Sequence, residues 1–517
     1  MIALDSLPDP ARLQVQAELE RLEMALRDKD QIIKIQDEKI RLLNLRLWGP
    51  KSEKLSPAQT ALLFEEASVT AAEVEQEAEL PPAQKEAPLP KAKQPRPNHP
   101  GREKLPAHLE RREVIIPCHP QDCHCQKCGG ERPVIGYETS EELVCEPATF
   151  YVRVTKREKR GSHCQEEQGV ATAPAPAKIV PKSKLANEFI IEAVVQKYQQ
   201  HRPAYRQCAD WADNHDLELS RKTVTHGLLA AGELLRAITR AQAVELVALP
   251  YLQADETTVP VQTGEKTGRN HKAYMWQFSQ PGGPVVFDFQ MGRARAGPEA
   301  FLKNFRGKLQ CDGYQVYDKL GEGIVYVGCL AHVRRGFVEL QKIAPQNPLP
   351  AEVIARMGEL YAVEKAAREG RLDAAARLAL RQEKSVPLMA TLKERLLAIR
   401  QQSTPGSKLA QACNYAINQW TRLEEYLKDG QLEIDNNWCE GAMRPLVLGR
   451  KNWLHLGSPE AGPKVAAILS IVETCRRLDL NLRAYLTAVL PTLGDWPSNR
   501  VAELTPTAWK KAQQKKL

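Results

Sequence analysis

Apolar residues recur along the chain with different periods, and the changes of period divide it. From residue 15 to 47 they follow a heptad, with Leu19, Leu26, Ile33, Ile40 and Leu47 at one seam position and Val15, Leu22, Lys29, Gln36 and Leu43 at the other. Eight of these ten positions are apolar, which predicts a coiled-coil helix that associates with a second copy of itself. Lys29 and Gln36 interrupt the seam, as polar residues do when they fix register at a cost in stability. Gly49 and Pro50 stop the helix, and Ser56 is placed to cap a short helix after it. Residues 67–112 are rich in Ala, Glu and Pro with few large apolar side chains, so they read as a linker. A short strand is predicted over residues 143–154. The helical period of 3.6 then governs residues 185–198, 204–214 and a third helix opened by Ser220.

At residue 250 the pattern switches to alternation. Strands are predicted over 250–261, 273–279 and 285–290, then a helix over 297–305, a strand over 308–311 and another over 324–328. Strand, strand, strand, helix, strand is a ribonuclease-H-like order, in which the first strand lies beside the one reached through the helix. Residues 351–427 show only helical patterns and read as an insertion into this sheet domain. The fold resumes with a helix carrying Glu440 and an apolar helix over 465–475 behind it.

Candidate chemistry follows from that layout. Asp255 falls on the first strand and Asp312 at the end of the fourth, so the two can converge on one site. The third carboxylate lies in Glu433-Ile434-Asp435-Asn436-Asn437-Trp438-Cys439-Glu440, followed by Arg444, Arg450, Lys451 and Trp453. Locally, Asn437 and Glu440 also have the spacing of a helix N-cap, and Glu440 with Arg444 that of an i,i+4 ion pair. Asp435 is the rival carboxylate and is assigned to capping. Three acids drawn from distant positions suit two Mg²⁺ ions, or Mn²⁺, across a phosphate. Arg444, Arg450 and Lys451 would neutralise phosphates; Trp438 and Trp453 would pack in the core or stack on an unpaired base. In the helical segment, a polar turn before Ser220-Arg221-Lys222-Thr223 makes a helix-turn-helix-like arrangement, with Arg221, Lys222 and Thr225 as candidate DNA contacts and a plain scaffold as the alternative.

Composition adjusts this picture modestly. The chain has 517 residues, 43% of them hydrophobic, enough for several cores. No apolar run is long enough to span a bilayer and no basic-then-apolar leader follows Met1, so a cytoplasmic, nucleoid-associated protein is expected. A net charge of +8 is weakly basic over this length; what matters is that residues 73–79 are acidic and 91–112 basic, extended by proline. Of twelve cysteines, Cys125 and Cys128 form a C-x-x-C-G-G knuckle that, with Cys164, supplies three zinc ligands; His163, Cys123 or Cys118 completes the four. A second C-x-x-C is absent, since Glu167 stands at its last position.

Taken together, these residues resemble the insertion sequence 66 family of DDE transposases. The matching stretches are Trp48-Gly-Pro-Lys-Ser-Glu-Lys-Leu55, Pro100-Gly-Arg102, the Cys125 knuckle, Lys197-Tyr198 to Arg206-Gln207, Leu252-Gln-Ala-Asp-Glu-Thr257, Asp312-Gly-Tyr314, Cys329-Leu-Ala-His-Val-Arg-Arg335, and Ile434 through Trp453. The resemblance implies that Asp255, Asp312 and Glu440 are the DDE triad of a metal-dependent enzyme that cuts transposon ends and joins them to target DNA. It implies double-stranded DNA partners (terminal inverted repeats and target), a homodimer, and accessory proteins of the same element. Two departures stand out, the degraded second zinc pair and Cys439 before Glu440. A DNA-binding regulator with an inactive catalytic domain and a metal nuclease without strand transfer are the competing classes. The expected architecture is multidomain α+β: coiled coil 1–48, short helical segment 49–66, linker 67–112, zinc-knuckle module 113–180, helical DNA-binding domain 181–247, ribonuclease-H-like parts 248–345 and 431–495 split by an all-helical insertion 346–430, and a tail 496–517.

Overall fold

The computed structural model describes residues 9–48, 150–153, 159–161, 170–172, 176–264 and 270–515. The candidate zinc ligands Cys125, Cys128, His163 and Cys164, the linker and the segment after Gly49 lie outside the described residues. The chain forms two compact units, residues 72–156 and the remainder. Of the first, residues 150–153 are described, and they form no strand where alternation predicted one. In the second, helix α1 (Asp9–Trp48) is a single 40-residue rod whose seam residues Leu19, Leu22, Leu26, Ile33, Ile40 and Leu43 are exposed. It touches the helical insertion where Glu38 accepts the Lys408 amide at 3.0 Å.

A two-stranded antiparallel pair, β1 (Lys159–Gly161) and β2 (Val170–Thr172), precedes three helices, α2 (Asn187–Tyr198), α3 (Ala204–His215) and α4 (Arg221–Val247). Ser220 caps α4 by accepting the Thr223 amide at 3.1 Å, as its residue type predicts. α4 runs 27 residues, past the end of the helical pattern read near residue 235. Its glycines do not break it. A β-carbon on Gly232 would sit 2.7 Å from the Lys464 carbonyl oxygen, so the residue serves close helix–helix approach.

The sheet has five strands: β3 (Tyr251–Val261), β4 (His271–Ser279), β5 (Val285–Gln290), β6 (Gly307–Gln310) and β7 (Ile324–Val327), with α5 (Ala296–Leu302) between β5 and β6. Their order is β5-β4-β3-β6-β7. β3, β4 and β5 pair antiparallel, whereas β6 runs parallel to both β3 and β7. The predicted strands are therefore present in the predicted order, in a mixed α+β fold. After α6 (Leu330–Ile343) come the insertion helices α7 (Pro348–Glu369), α8 (Ala374–Leu380), α9 (Val386–Gln402), α10 (Lys408–Asn418) and α11 (Trp420–Glu424). α12 (Asn437–Trp453) then carries Glu440 back to the sheet, and α13 (Ala461–Arg477) lies against edge strand β5.

That edge would expose unpaired amides, and α13 satisfies them. Ser470 accepts the Phe287 amide at 2.8 Å and Thr474 the Val285 amide at 3.0 Å, which blunts an edge that would otherwise template pairing. Gln242 of α4 ties the same place together, donating to the Val285 carbonyl and the Thr474 hydroxyl. The helical segment is thus no separate module: Val224, Leu228 and Leu235 share one apolar cluster with Phe287, Phe289, Ile468 and Ile471. Residues 496–515, read from the sequence as a tail, continue beyond α14 (Leu482–Val489) into a turn and α15 (Pro506–Gln514), with Tyr485 donating to the Leu504 carbonyl at 2.6 Å.

The insertion has its own apolar cluster and a buried ion pair. Arg381 and Glu364 have side chains 1% exposed and meet at 2.7 Å. Arg381 also donates to the carbonyls of Tyr426, Asp429 and Leu432, so its five N–H groups are all used. Replacing it leaves three carbonyls without their donor and the buried Glu364 carboxylate with Arg377 alone. Arg381→Met is expected to destabilise the insertion by about 3–5 kcal/mol, read as a lowered denaturant midpoint; a shift within about 0.5 kcal/mol would show that the pair contributes little.

Candidate active site

The three sequence-predicted acids converge where the parallel strands end. Asp255 sits within β3 opposite Gln277 of β4 and accepts the Glu256 amide at 2.8 Å. Asp312 follows β6 by two residues and closes a turn by accepting the Tyr314 amide at 3.1 Å. Glu440 lies in the first turn of α12. The acids act on one another electrostatically: burial, and then the charges of Glu440, Glu256 and Asp312, push the Asp255 carboxyl up to about 8. Burial also raises Asp312, partly offset by its hydrogen bond from Tyr314 and by Arg293 and Arg335.

Glu440 has an arginine and a histidine of α6 as its nearest side-chain partners. Arg335 lies 3.4 Å from one oxygen, and His332 Nε2 3.7 Å from the other. That second oxygen, Oε1, is buried and has no hydrogen bond, as is Nδ1 of His332. Burial lowers the His332 pKa, which favours the neutral ring. Among the described residues no group of three or more His, Cys, Asp or Glu side chains is arranged to hold a metal ion as it stands. The donor set nevertheless fits a hard divalent cation: carboxylate oxygens, one of them without a partner, in a site where Asp255 resists ionising unless positive charge arrives.

Two local readings of the α12 start are corrected. The N-cap is Asn436, whose side chain makes no capping bond. Asp435 caps instead, through Oδ1 to the Asn437 amide at 3.1 Å, while Oδ2 accepts from Asn437 Nδ2 and the Tyr361 hydroxyl, both at 2.9 Å. Glu440 is ion-paired with Arg335 of α6 and not with Arg444, because its carboxylate faces the sheet and Arg444 is exposed. Sequence reasoning also gave no role to Glu256, His332 or Arg335. Glu256 is a fourth acid, 3% exposed and ion-paired with Arg293, with the Tyr317 hydroxyl 2.8 Å away; Arg293 in turn lies 3.6 Å over the Tyr314 ring. The signal for it was the adjacent acid pair on one strand.

The candidate DNA contacts separate into two groups. Arg221, Lys222, Arg444 and Lys451 are exposed. Arg450 is committed to the fold, donating to the Thr258 carbonyl and, at 3.2 Å, its hydroxyl. Thr225 and Trp453, from segments far apart in sequence, line one depression of about 290 Å³ with Lys197, Tyr198 and His455. Trp438 is half exposed, and the Arg477 guanidinium lies 5.8 Å from its ring centre.

Comparison with known proteins bears on this site directly. Residues 182–464, more than half of the chain and inclusive of all three acids, match the Transposase IS66 family. The chain belongs to the IS66 transposase family. Residues 470–507 match the IS66 C-terminal element and residues 36–114 the region described as Transposase C of IS166 homeodomain. The chain is similar to the uncharacterized protein y4hP of Sinorhizobium fredii, 30% identical over 78% of this chain and 76% of that one. It is similar also to y4qI of the same organism, at 32% over 78% and 76%. Membership of the IS66 family makes the chain a transposase, with DNA as partner and a divalent metal as the family's usual cofactor. Among the described residues no helix is long and apolar enough to cross a membrane.

The Asp255 shift has a signed consequence. Its carboxyl is held to about 8 in the fold but near 3.9 in an unfolded chain, so between these values the folded state binds the extra proton and stability falls as pH rises. The metal-free protein is expected to melt at lower temperature at about pH 8.5 than at about pH 5, and Asp255→Asn to lose much of that dependence. Equal pH dependence in the two proteins, measured by scanning calorimetry, would contradict the assignment.

Proposed function

We propose that the chain cuts the DNA ends of an insertion sequence and joins them to target DNA, with Asp255, Asp312 and Glu440 as the reacting site. The observation that supports this reading is the gathering of the acids just past the β3–β6 ladder, where burial, and then the charges of Glu440, Glu256 and Asp312, push Asp255 up to about 8. The strand order supports a ribonuclease-H-like domain, in which acids from separate elements share metal. Asp255, Asp312 and Glu440 would hold two Mg²⁺ ions, or Mn²⁺. When bound, such ions supply charge stabilisation to both the attacking and leaving oxygens of an in-line displacement.

The protein's own groups do the rest. Arg293 and Arg335 offset the carboxylates from the rim, and Glu256 is kept out of the reaction by its pairing with Arg293 and Tyr317. Hydrolysis of a phosphodiester at each transposon end frees a 3′-hydroxyl. That hydroxyl displaces a 3′-oxygen in target DNA, so one phosphodiester forms as another breaks. Arg444 and Lys451 meet phosphates beside the site, and Arg221 and Lys222 engage the terminal repeat from the start of α4. In the same reading the exposed seam of α1 pairs two chains, so that both ends are held together. Cys125, Cys128, Cys164 and His163 hold one structural zinc, a reading that rests on their spacing.

Two experiments test this. Glu440→Gln removes a carboxylate while keeping shape, and is expected to lower Mg²⁺-dependent end cleavage and joining more than about 100-fold. Asp435→Asn, altering a capping group, should retain cleavage. Activity kept in the first and lost in the second would overturn the assignment, and end cleavage without joined products would favour a nuclease. Separately, Arg221→Ala with Lys222→Ala is expected to weaken end binding and to reduce the slope of log affinity against log salt by about 1 for each lost phosphate contact. An unchanged slope would make the segment a scaffold.

A further inference from the structure

The strands carrying the two aspartates share a short repeat. Leu252-Gln253-Ala254-Asp255 on β3 matches Leu309-Gln310-Cys311-Asp312 on and after β6. The two copies lie in register, Leu252 beside Leu309 and Gln253 beside Gln310. This is the last pair of the ladder, and beyond it the two chains diverge around the acids. Residues two apart on a strand share a face, so Gln253 points to the side that Asp255 occupies.

Both glutamines are fully buried, and they grip the segment that leads into α12. Gln253 Nε2 donates to the Asp435 carbonyl at 2.9 Å, and its Oε1 accepts the Cys439 amide at 3.1 Å. Gln310 Nε2 donates to the carbonyls of Glu433 at 2.9 Å and Gly328 at 3.0 Å. The pair is locked laterally, Gln253 Nε2 to Gln310 Oε1 at 2.8 Å, with the Tyr251 hydroxyl donating to that same oxygen and accepting the Glu433 amide at 3.3 Å. These side chains supply to a bent, largely buried backbone the partners that regular secondary structure would otherwise give.

We propose that Gln253 and Gln310, with Tyr251, are positioning residues that set the distance of Glu440 from Asp255 and Asp312. The residue bonded to Gln253, Cys439, immediately precedes Glu440, so a displacement there passes to the third acid with no residue between them. The proposal rests on the triad reading above. Outer groups that orient metal-binding side chains typically change affinity or activity by about 10–100-fold when removed.

The test compares full-length Gln253→Met, Gln310→Met and Tyr251→Phe with Gln242→Met, an equally buried glutamine that ties α4 to β5 away from the site. The first three are expected to lower the end-cleavage rate and raise the Mg²⁺ concentration for half-maximal cleavage about tenfold or more, with affinity for end DNA unchanged. In the metal-free proteins, hydrogen exchange in residues 433–440 should rise in these three and not in Gln242→Met. If the glutamine variants match Gln242→Met in Mg²⁺ dependence and exchange, they are merely structural and the proposal fails. Should either glutamine variant not fold, Tyr251→Phe, which removes only an oxygen, decides by the same two readouts. Failure of the triad reading looks different: Asp255→Asn would then cleave normally, whatever the glutamines do.

Discussion

Negative charges crowded into a desolvated cleft set the terms for this fold. Asp255 is surrounded by the fields of Glu440, Asp312 and Glu256, an arrangement that costs free energy in the absence of compensating cations. The rest of the structure reads as a response. Rim arginines offset part of the repulsion, Glu256 is ion-paired with Arg293, and packing elsewhere holds the acids in place. A site destabilised in this way is poised for positive charge, since binding a cation relieves strain already present.

The helical insertion takes part in that response. Between Asp312 and Glu440 the chain leaves the sheet and builds a separate apolar cluster, then returns through a bent stretch, residues 431–436, that belongs to no helix or strand. The insertion grips it from one side: Arg377 and Arg368 bind the Glu433 carboxylate, and Tyr361 binds Asp435. The sheet grips it from the other. An apparent appendage is thus the abutment against which the start of α12 is seated.

How much of this was legible in the sequence depended on range. Strands β3 to β7 announced themselves through alternation, and Asp255 and Asp312 through their places along those strands. Ser220 capped its helix because an N-cap bond is local. At the start of α12 the same kind of local rule failed: Asn437 and Glu440 had the spacing of a cap, but Asp435 took the amide and Arg335, 105 residues earlier, took the carboxylate. Arg450 looked free on a basic helix end, yet Thr258 claims it. His332 and Arg335 stood in a quoted stretch without a role because their partner is distant in sequence. Propensity and period report neighbours within a turn or two; tertiary hydrogen bonds do not leave that trace.

The separation between Gln253 and Cys439, 186 residues, has a consequence during synthesis. At about 5–20 residues per second, roughly 10–40 seconds pass between translation of the first aspartate's strand and arrival of the third acid. Asp312 joins Asp255 partway through that interval, and until Glu440 arrives the ribosome-bound chain holds at most two of the three acids. Glu440 therefore cannot join Asp255 and Asp312 until the insertion has emerged, and order of synthesis alone keeps the acidic cluster unassembled.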